Sequence, residues 1–147
     1  MGAIEDFRRF ERGVVVPWGD YDVSQYALLS LGFSDCASIS LMNGTQAGLS
    51  HIDGTRDAME HLDGMIEKMG VLPKKLRAIL VSTADSRDRN LYLEECCSRR
   101  GIEIADRYYE GIRGRPMKDI LVVPSLRQVQ LYVGGEIFRE KMVTKRF

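Results

Sequence analysis

The stretch of sequence that decides the fold runs from Cys36 to His51 and reads CASISLMNGTQAGLSH. Two short runs of β-prone residues flank the dipeptide Asn43-Gly44. This dipeptide is the strongest two-residue signal for a β-hairpin, because both turn positions require a positive φ. We therefore predict two antiparallel strands joined by this turn, Cys36–Met42 and Thr45–His51.

The hairpin also sets the position of Cys36 relative to His51. If Asn43 and Gly44 form the loop, Met42 pairs with Thr45. Counting away from the turn along both strands then places Cys36 opposite His51. Opposed residues of an antiparallel pair point to the same side of the sheet, with Cβ atoms about 4.5–5.5 Å apart. The sequence thus predicts a Cys–His pair. A slip of one residue would send the two side chains to opposite faces.

A thiol beside an imidazole is a potential nucleophile. The imidazole accepts the thiol proton, and the resulting ion pair lowers the cysteine pKa. We predict Cys36 as the nucleophile and His51 as the base, with backbone N–H groups of the irregular segment around Ser34 and Asp35 stabilising a developing oxyanion. The alternative is a structural cross-strand pair, because cysteine is often buried and a histidine at a strand end often bonds only a backbone carbonyl.

The remaining sequence predicts a mixed α/β fold. Apolar residues at helical spacing predict one helix over 55–70, and a second is expected over 88–100 with its N-cap at Asp85 or Ser86. Further β-prone runs predict the strands Tyr26–Phe33, Leu76–Ser82, Ile102–Tyr108, Asp119–Val123, Gln128–Val133 and Glu136–Val143. We expect a single α/β domain over 1–147, with a mixed β-sheet sandwich flanked by two helices.

Composition and charge exclude several classes of function. The 21 Lys and Arg residues balance 21 Asp and Glu residues, which removes the electrostatic drive of a general nucleic-acid binder. Apolar runs fall short of the roughly 18 residues of a membrane-spanning helix, so no membrane insertion is expected. Charges at Glu5 and Arg8 stand where a signal peptide needs its apolar core, which favours a cytoplasmic protein. The three cysteines form no paired C-x-x-C pattern, so we expect neither a metal nor a cofactor.

Four other side chains could in principle bind a ligand or react, but each also has an ordinary structural role. His61 flanks the apolar stripe of an acidic helix and is expected on its surface. Cys96 and Cys97 are expected to pack within the second helix rather than to serve in redox chemistry. Trp18 could either line a substrate groove or anchor a turn.

The residues around the Cys–His pair resemble those of a known family. The run SLGFSDC from Ser30 to Cys36, followed by the hairpin and GLSH ending at His51, is similar to the signature of the chemoreceptor glutamine deamidase CheD. The same Cys–His geometry occurs in the related cytotoxic necrotizing factor toxins. The resemblance implies a CheD-like fold, with Cys36 as nucleophile, His51 as base and the Ser30 hydroxyl positioning the base. The chain departs from the family pattern at Ser34-Asp35, where the family has Gly-Ser, and at Ser30, where threonine is usual.

The function implied by this resemblance is a cysteine-dependent glutamine amidohydrolase. Such an enzyme converts glutamine side chains of a protein substrate to glutamate through a thioester. The resemblance further implies chemoreceptors as substrates and a CheC-like phosphatase as partner. Two alternatives remain at this point: a toxin-like deamidase acting on a host protein, and a degenerate CheD-like binding module. The carboxylate of Asp35 beside the nucleophile makes the second alternative credible.

Overall fold

The computed structural model describes residues 2–53, 58–112, 114–134 and 140–147. In chain order the helices and strands are α1 (Ala3–Phe7), β1 (Val14–Val15), β2 (Tyr21–Ser24), β3 (Leu28–Phe33), β4 (Ser38–Met42), β5 (Ala47–Ser50), α2 (Ala58–Met69), β6 (Arg77–Ser82), α3 (Arg87–Arg99), β7 (Glu103–Tyr109), β8 (Lys118–Val123), β9 (Gln128–Gly134) and β10 (Glu140–Arg146). The predicted starts of the first long helix, at 55–57, and of the last strand, at 136–139, lie outside the described residues.

The strands form two five-stranded mixed sheets. Sheet A has the order β1-β3-β8-β9-β10, and sheet B has the order β2-β5-β4-β6-β7. The β1–β3 and β6–β7 pairs are parallel and the other pairs are antiparallel. The predicted α/β sandwich is confirmed, with a third helix, α1, that the sequence did not predict.

Three apolar clusters hold the layers together, because alternate residues of each strand point to opposite faces. The largest cluster lies between the sheets and includes Leu28, Leu49, Ile79, Ile120 and Leu131. A second cluster packs α2 and α3 on the outer face of sheet B, and a third packs α1 on the outer face of sheet A. The order of layers is therefore α1, sheet A, sheet B, and then α2 with α3.

The two long helices cover sheet B with the residues that the helical spacing predicts. Leu62 and Met65 of α2 are fully buried, and Cys96 and Cys97 of α3 are buried in the same layer, as expected. His61 is not on the surface as predicted: it is 5% exposed, and its Nδ1 lies 2.7 Å from Ser50 Oγ. Among the described helices, none combines the length and the apolar character needed to cross a membrane.

The register of the β4–β5 hairpin differs from the prediction by two residues. Met42 pairs with Ala47, not with Thr45, so the turn is centred on Gly44 and Thr45. The Asn43 side chain causes this shift, because its Oδ1 accepts hydrogen bonds from the backbone N–H groups of Thr45 at 3.2 Å and Gln46 at 2.9 Å. Gly44 supplies the positive φ of 114° that the turn requires.

The shift of two residues preserves the side of the sheet on which each side chain lies. Ala37 bridges Ile52, so Cys36 and His51 are diagonal neighbours rather than directly opposed. Because side chains alternate with a period of two, both still point into the space between the sheets. The predicted common face is retained, and the predicted direct opposition is wrong.

Candidate functional site

A hydrogen-bonded chain across the two sheets orients His51. The residue follows β5, and its Nδ1 lies 2.7 Å from Ser30 Oγ on β3. The same oxygen lies 2.7 Å from the Val16 carbonyl oxygen, which follows β1. A carbonyl only accepts, so the single Ser30 hydroxyl proton donates to Val16 and Ser30 Oγ accepts the Nδ1–H of His51. This assigns the imidazole proton to Nδ1 and leaves a lone pair on Nε2.

The surroundings of His51 keep the ring neutral and fixed. Its ring stacks on Phe33 with centroids 3.7 Å apart and an interplanar angle of 15°. The residue is fully buried, and this burial lowers its pKa from 6.5 to about 4, because a charged imidazole would lose its hydration there. Nε2 has no hydrogen-bond partner among the described residues. His51 therefore offers an unprotonated, unpartnered basic atom between the sheets.

Ser38 adds a second unpartnered polar atom near this position. Ser38 lies opposite His51 in the β4–β5 register, as the next pair toward the turn after the Ala37–Ile52 bridge. Its buried Oγ, like His51 Nε2, has no hydrogen-bond partner among the residues described. Buried polar atoms of this kind are normally satisfied by a solvent molecule or a ligand group. Sequence analysis did not single out Ser38, because its role depends on the observed register.

Cys36 lies just before β4, at the rim of the space between the sheets. Its side chain is buried to 8% exposure, and its Sγ accepts a hydrogen bond from Trp18 Nε1 at 3.2 Å. Burial raises the pKa of the Cys36 thiol, and the Trp18 N–H opposes this effect without cancelling it. The raised thiol pKa and the lowered imidazole pKa of His51 both oppose the predicted low-pKa ion pair.

Trp18 belongs to a turn that is attached to His51 through the backbone. Gly19 N donates to the His51 carbonyl oxygen at 3.1 Å, and His51 N donates to the Asp20 carbonyl oxygen at 2.9 Å. Trp18 is 64% exposed while its indole N–H reaches Cys36. This contact anchors the turn to the segment of the thiol, which favours the second of the two roles left open by the sequence.

The segment between β3 and β4 places Ser34 and Asp35 directly before the thiol. Within the described part of the chain, the backbone N–H groups of Ser34, Asp35 and Cys36 donate no hydrogen bond. Gly114 N donates to the Ser34 carbonyl oxygen at 3.4 Å, which holds the segment from outside. The Asp35 side chain is exposed, so its carboxylate points away from the buried interior.

Arg89, which sequence analysis did not assign to the site, fixes the peptide unit before Cys36. It is 6% exposed and lies in the first turn of α3, where its Nη1 donates to the Asp35 carbonyl oxygen. Its Nε and Nη2 both donate to Ser82 Oγ, at 3.2 and 2.9 Å. The C=O and N–H of a trans peptide point in opposite directions, so this bond on the Asp35 carbonyl leaves the Cys36 N–H directed away from Arg89.

The described residues also limit which side chains could hold a metal ion. In the ranges given above, no group of three or more His, Cys, Asp or Glu side chains has the proximity that such a site needs. The three sequence-predicted residues Cys36, His51 and Ser30 are brought to one region between the sheets, where Ser38 joins them. Trp18 contacts the thiol from the exposed side, and Arg89 of α3 contacts the peptide unit before it.

Comparison with known proteins identifies similar folds only among solved structures. No protein-family model and no curated protein matches the sequence. The fold is similar to that of the Neisseria meningitidis protein NMB0706 of family-model DUF152, with a TM-score of 0.52 and 15% identity over 69% of this chain. The match covers 64% of the Neisseria chain. A hypothetical protein YfiH from Bacillus licheniformis matches with a TM-score of 0.49 and 14% identity, over 65% of this chain and 51% of that one.

These findings correct the family resemblance drawn from the sequence. The matched Neisseria structure carries the DUF152 description, not CheD, so the CheD assignment, glutamine deamidation of chemoreceptors and a role in chemotaxis are wrong predictions. The toxin-like and degenerate CheD-like alternatives depended on the same assignment and are withdrawn with it. The motif misled because a strand, an irregular segment, a cysteine and a hairpin histidine describe local geometry, which different families can share.

Proposed function

We propose that the chain is a thiol-dependent hydrolase that acts on the carbonyl group of an ester or amide. Cys36 is the nucleophile, His51 is the general base and Ser30 is a positioning residue that fixes the tautomer of His51. The observation that carries this proposal is the hydrogen-bonded series Val16–Ser30–His51. It leaves Nε2 unprotonated, and without a partner among the described residues, on the face that Cys36 shares.

The reaction follows from these groups with a complete proton balance. Cys36 Sγ attacks the carbonyl carbon while its proton moves to His51 Nε2, and that proton then passes to the leaving group as the thioester forms. Water attacks the thioester and gives one proton to Nε2. The acid is released, and the proton returns to Sγ. A neutral base suits the first step, because His51 has to accept a proton rather than hold one already.

The backbone N–H groups beside Cys36, for which the described ranges provide no acceptor, supply the remaining requirement. The oxygen of a tetrahedral intermediate carries negative charge, which backbone donors stabilise when they are fixed in advance. Cys36, Asp35 and Ser34 offer such donors, and the Arg89 contact to the Asp35 carbonyl holds the intervening peptide in place.

Trp18 supports the ionised form of the thiol. Its indole N–H donates to Sγ, so the thiol proton is not used in this contact, and the contact lowers the pKa of Cys36 against the effect of burial. Nε2 of His51, which has no partner among the described residues, is the proposed acceptor of that proton.

An acylation experiment tests the proposal. With p-nitrophenyl acetate we expect a burst of p-nitrophenolate and one acetyl group on Cys36, located by peptide mass spectrometry. Cys36→Ala and His51→Ala should both lose the burst, whereas Cys96→Ala, which removes a buried thiol of α3, should keep it. Acetylation at another residue, or an unchanged burst in Cys36→Ala, would exclude Cys36 as the nucleophile.

A further inference from the structure

Ser38 stands beside the proposed base, on the strand that follows the thiol. Ala37 and Ile52 exchange both of their backbone hydrogen bonds, at 2.9 and 2.8 Å. The next pair toward the turn, Ser38 with His51, is therefore of the non-hydrogen-bonded type, in which opposed side chains come closest. The Cβ atoms of opposed residues lie about 4.5–5.5 Å apart on one side of the sheet. The Ser38 hydroxyl and the His51 imidazole are thus neighbours in the space between the sheets.

Both side chains end in a buried polar atom that still needs a partner. Ser38 and His51 are fully buried. Neither Ser38 Oγ nor His51 Nε2 has a hydrogen-bond partner within the described ranges, so the two atoms are not bonded to each other either. A hydroxyl and a basic lone pair on adjacent side chains can both be satisfied by one small polar molecule that bonds to each.

The second half of the proposed reaction needs such a molecule at this position. The thioester forms on Cys36, which shares the inner face of the sheet with Ser38 and precedes it by two residues, about 6–7 Å along an extended chain. Water has to attack this thioester while it gives a proton to His51 Nε2. Because His51 has no exposed surface, the attacking water has to be held by groups of the protein.

We propose that Ser38 is a positioning residue that binds, together with His51 Nε2, the water molecule that hydrolyses the thioester. The chemical role rests on the proposed function, whereas the water site itself does not require Cys36 to react. One O–H of the water donates to Nε2 and the other to Ser38 Oγ, which leaves a lone pair of the water oxygen for the carbonyl carbon. The new C–O bond forms as one proton passes to Nε2. The C–S bond then breaks, the proton returns to Sγ, and the acid is released.

The same position serves the leaving group in the first half of the reaction. A leaving group that takes a proton from Nε2 has to lie where the water oxygen lies afterwards, so water enters only when the leaving group has departed. The p-nitrophenolate anion leaves without a proton. With p-nitrophenyl acetate, acylation should therefore be independent of Ser38, and only hydrolysis of the acetyl-enzyme should depend on it.

Burst kinetics with p-nitrophenyl acetate test this role. Ser38→Ala should release the burst of p-nitrophenolate at the rate of the parent, followed by a steady-state rate at least about tenfold lower, because the water is no longer positioned. Hydroxylamine attacks a thioester without a bound water, so it should restore turnover of Ser38→Ala to that of the parent in the same reagent. A purely structural effect would slow both phases and resist this rescue, and either result would overturn the proposal.

Ser40 provides a matched control on the same strand. It is fully buried on the same face, and its Oγ has no hydrogen-bond partner in the described part of the chain. It differs from Ser38 in lying opposite Leu49 rather than His51. Ser40→Ala should match the parent in both kinetic phases. Equal loss of the steady-state rate in the two alanine variants would assign the effect to any buried hydroxyl and reject the specific role of Ser38.

A crystal structure of the unmodified chain gives a second measurement that does not depend on activity or on the folding of a variant. It should show a water oxygen within about 3.2 Å of both Ser38 Oγ and His51 Nε2. A direct bond between these two atoms, or no water there, would overturn the proposal. Bound water without a burst in the parent rejects Cys36 as nucleophile and retains the water site. A burst with normal hydrolysis in Ser38→Ala rejects the role of Ser38 alone.

Discussion

Replacing Ser30 by alanine separates the positioning of His51 from the stability of the fold. The change removes the acceptor of the His51 Nδ1–H and the donor to the Val16 carbonyl, both at 2.7 Å and both between the sheets. A buried polar group left without a partner costs about 1–3 kcal/mol, so the unfolding midpoint should fall by roughly 3–10 °C. The imidazole proton is then free to move to Nε2, which removes the base.

The expected kinetic result is a loss of acylation rate by about ten- to a thousandfold, which is the range for losing one positioning contact to a general base. The assay is the p-nitrophenolate burst, with the rate of Cys36 alkylation by iodoacetamide recorded in parallel. The thiol and its Trp18 contact are untouched by the substitution, so the protein should still be alkylated at Cys36.

The protein offers a closely matched control for Ser30. Ser50 Oγ lies 2.7 Å from Nδ1 of His61, and Ser50 is also fully buried, but it belongs to the opposite face of sheet B, under α2. Ser50→Ala should therefore destabilise the fold by a similar amount and leave the burst rate unchanged. Equal slowing in the two variants would mean that loss of stability explains the kinetics. An unchanged burst in Ser30→Ala would refute the tautomer argument directly.

Three other outcomes are expected. Trp18→Phe removes the N–H that lowers the Cys36 pKa, so the pH profile of iodoacetamide alkylation should move to higher pH; an unmoved profile would contradict the Trp18 contact. Because the His51 pKa is lowered to about 4, the unfolded chain takes up the proton first, and stability should fall by about 2 kcal/mol between pH 6.5 and 5. Urea unfolding should show a smaller fall in His51→Gln, and an equal fall would assign it to other groups. Gly64→Ala should lower the thermal midpoint although alanine favours helices, because its Cβ would overlap the Tyr21 ring on β2; an unchanged midpoint would show that the ring moves aside easily.

Sequence analysis predicted the elements that have strong local patterns. The long helices and the strands around Cys36 and His51 follow from periodicity and turn residues, and their observed limits differ by a few residues. It missed β1 and β2, which are short and gain their hydrogen bonds from distant partners, Leu28–Leu29 for β1 and Ala47–Ser50 for β2. Pairing of this kind has no local signal.

The site was predicted less completely, because its geometry depends on contacts between the sheets. The common face of Cys36 and His51 survived a wrong register only because the shift was an even number of residues. Burial opposes the predicted ion pair, because it raises the Cys36 pKa and lowers the His51 pKa, and burial at these two positions is a tertiary effect. His61 was misplaced for the same reason: its partner Ser50 comes from a strand, and nothing in the helix pattern indicates it.

The contact between Ser30 and Val16 makes the protonation of one ring depend on the order in which the chain assembles. Val16 follows a two-residue strand whose parallel pairing with β3 joins segments distant in sequence, and His51 arrives from the other sheet. Until all three segments have docked, the imidazole interconverts between tautomers and the cysteine has no dedicated base. A nascent or partly unfolded chain would thus carry an ordinary thiol, and reactivity would begin only when folding is complete.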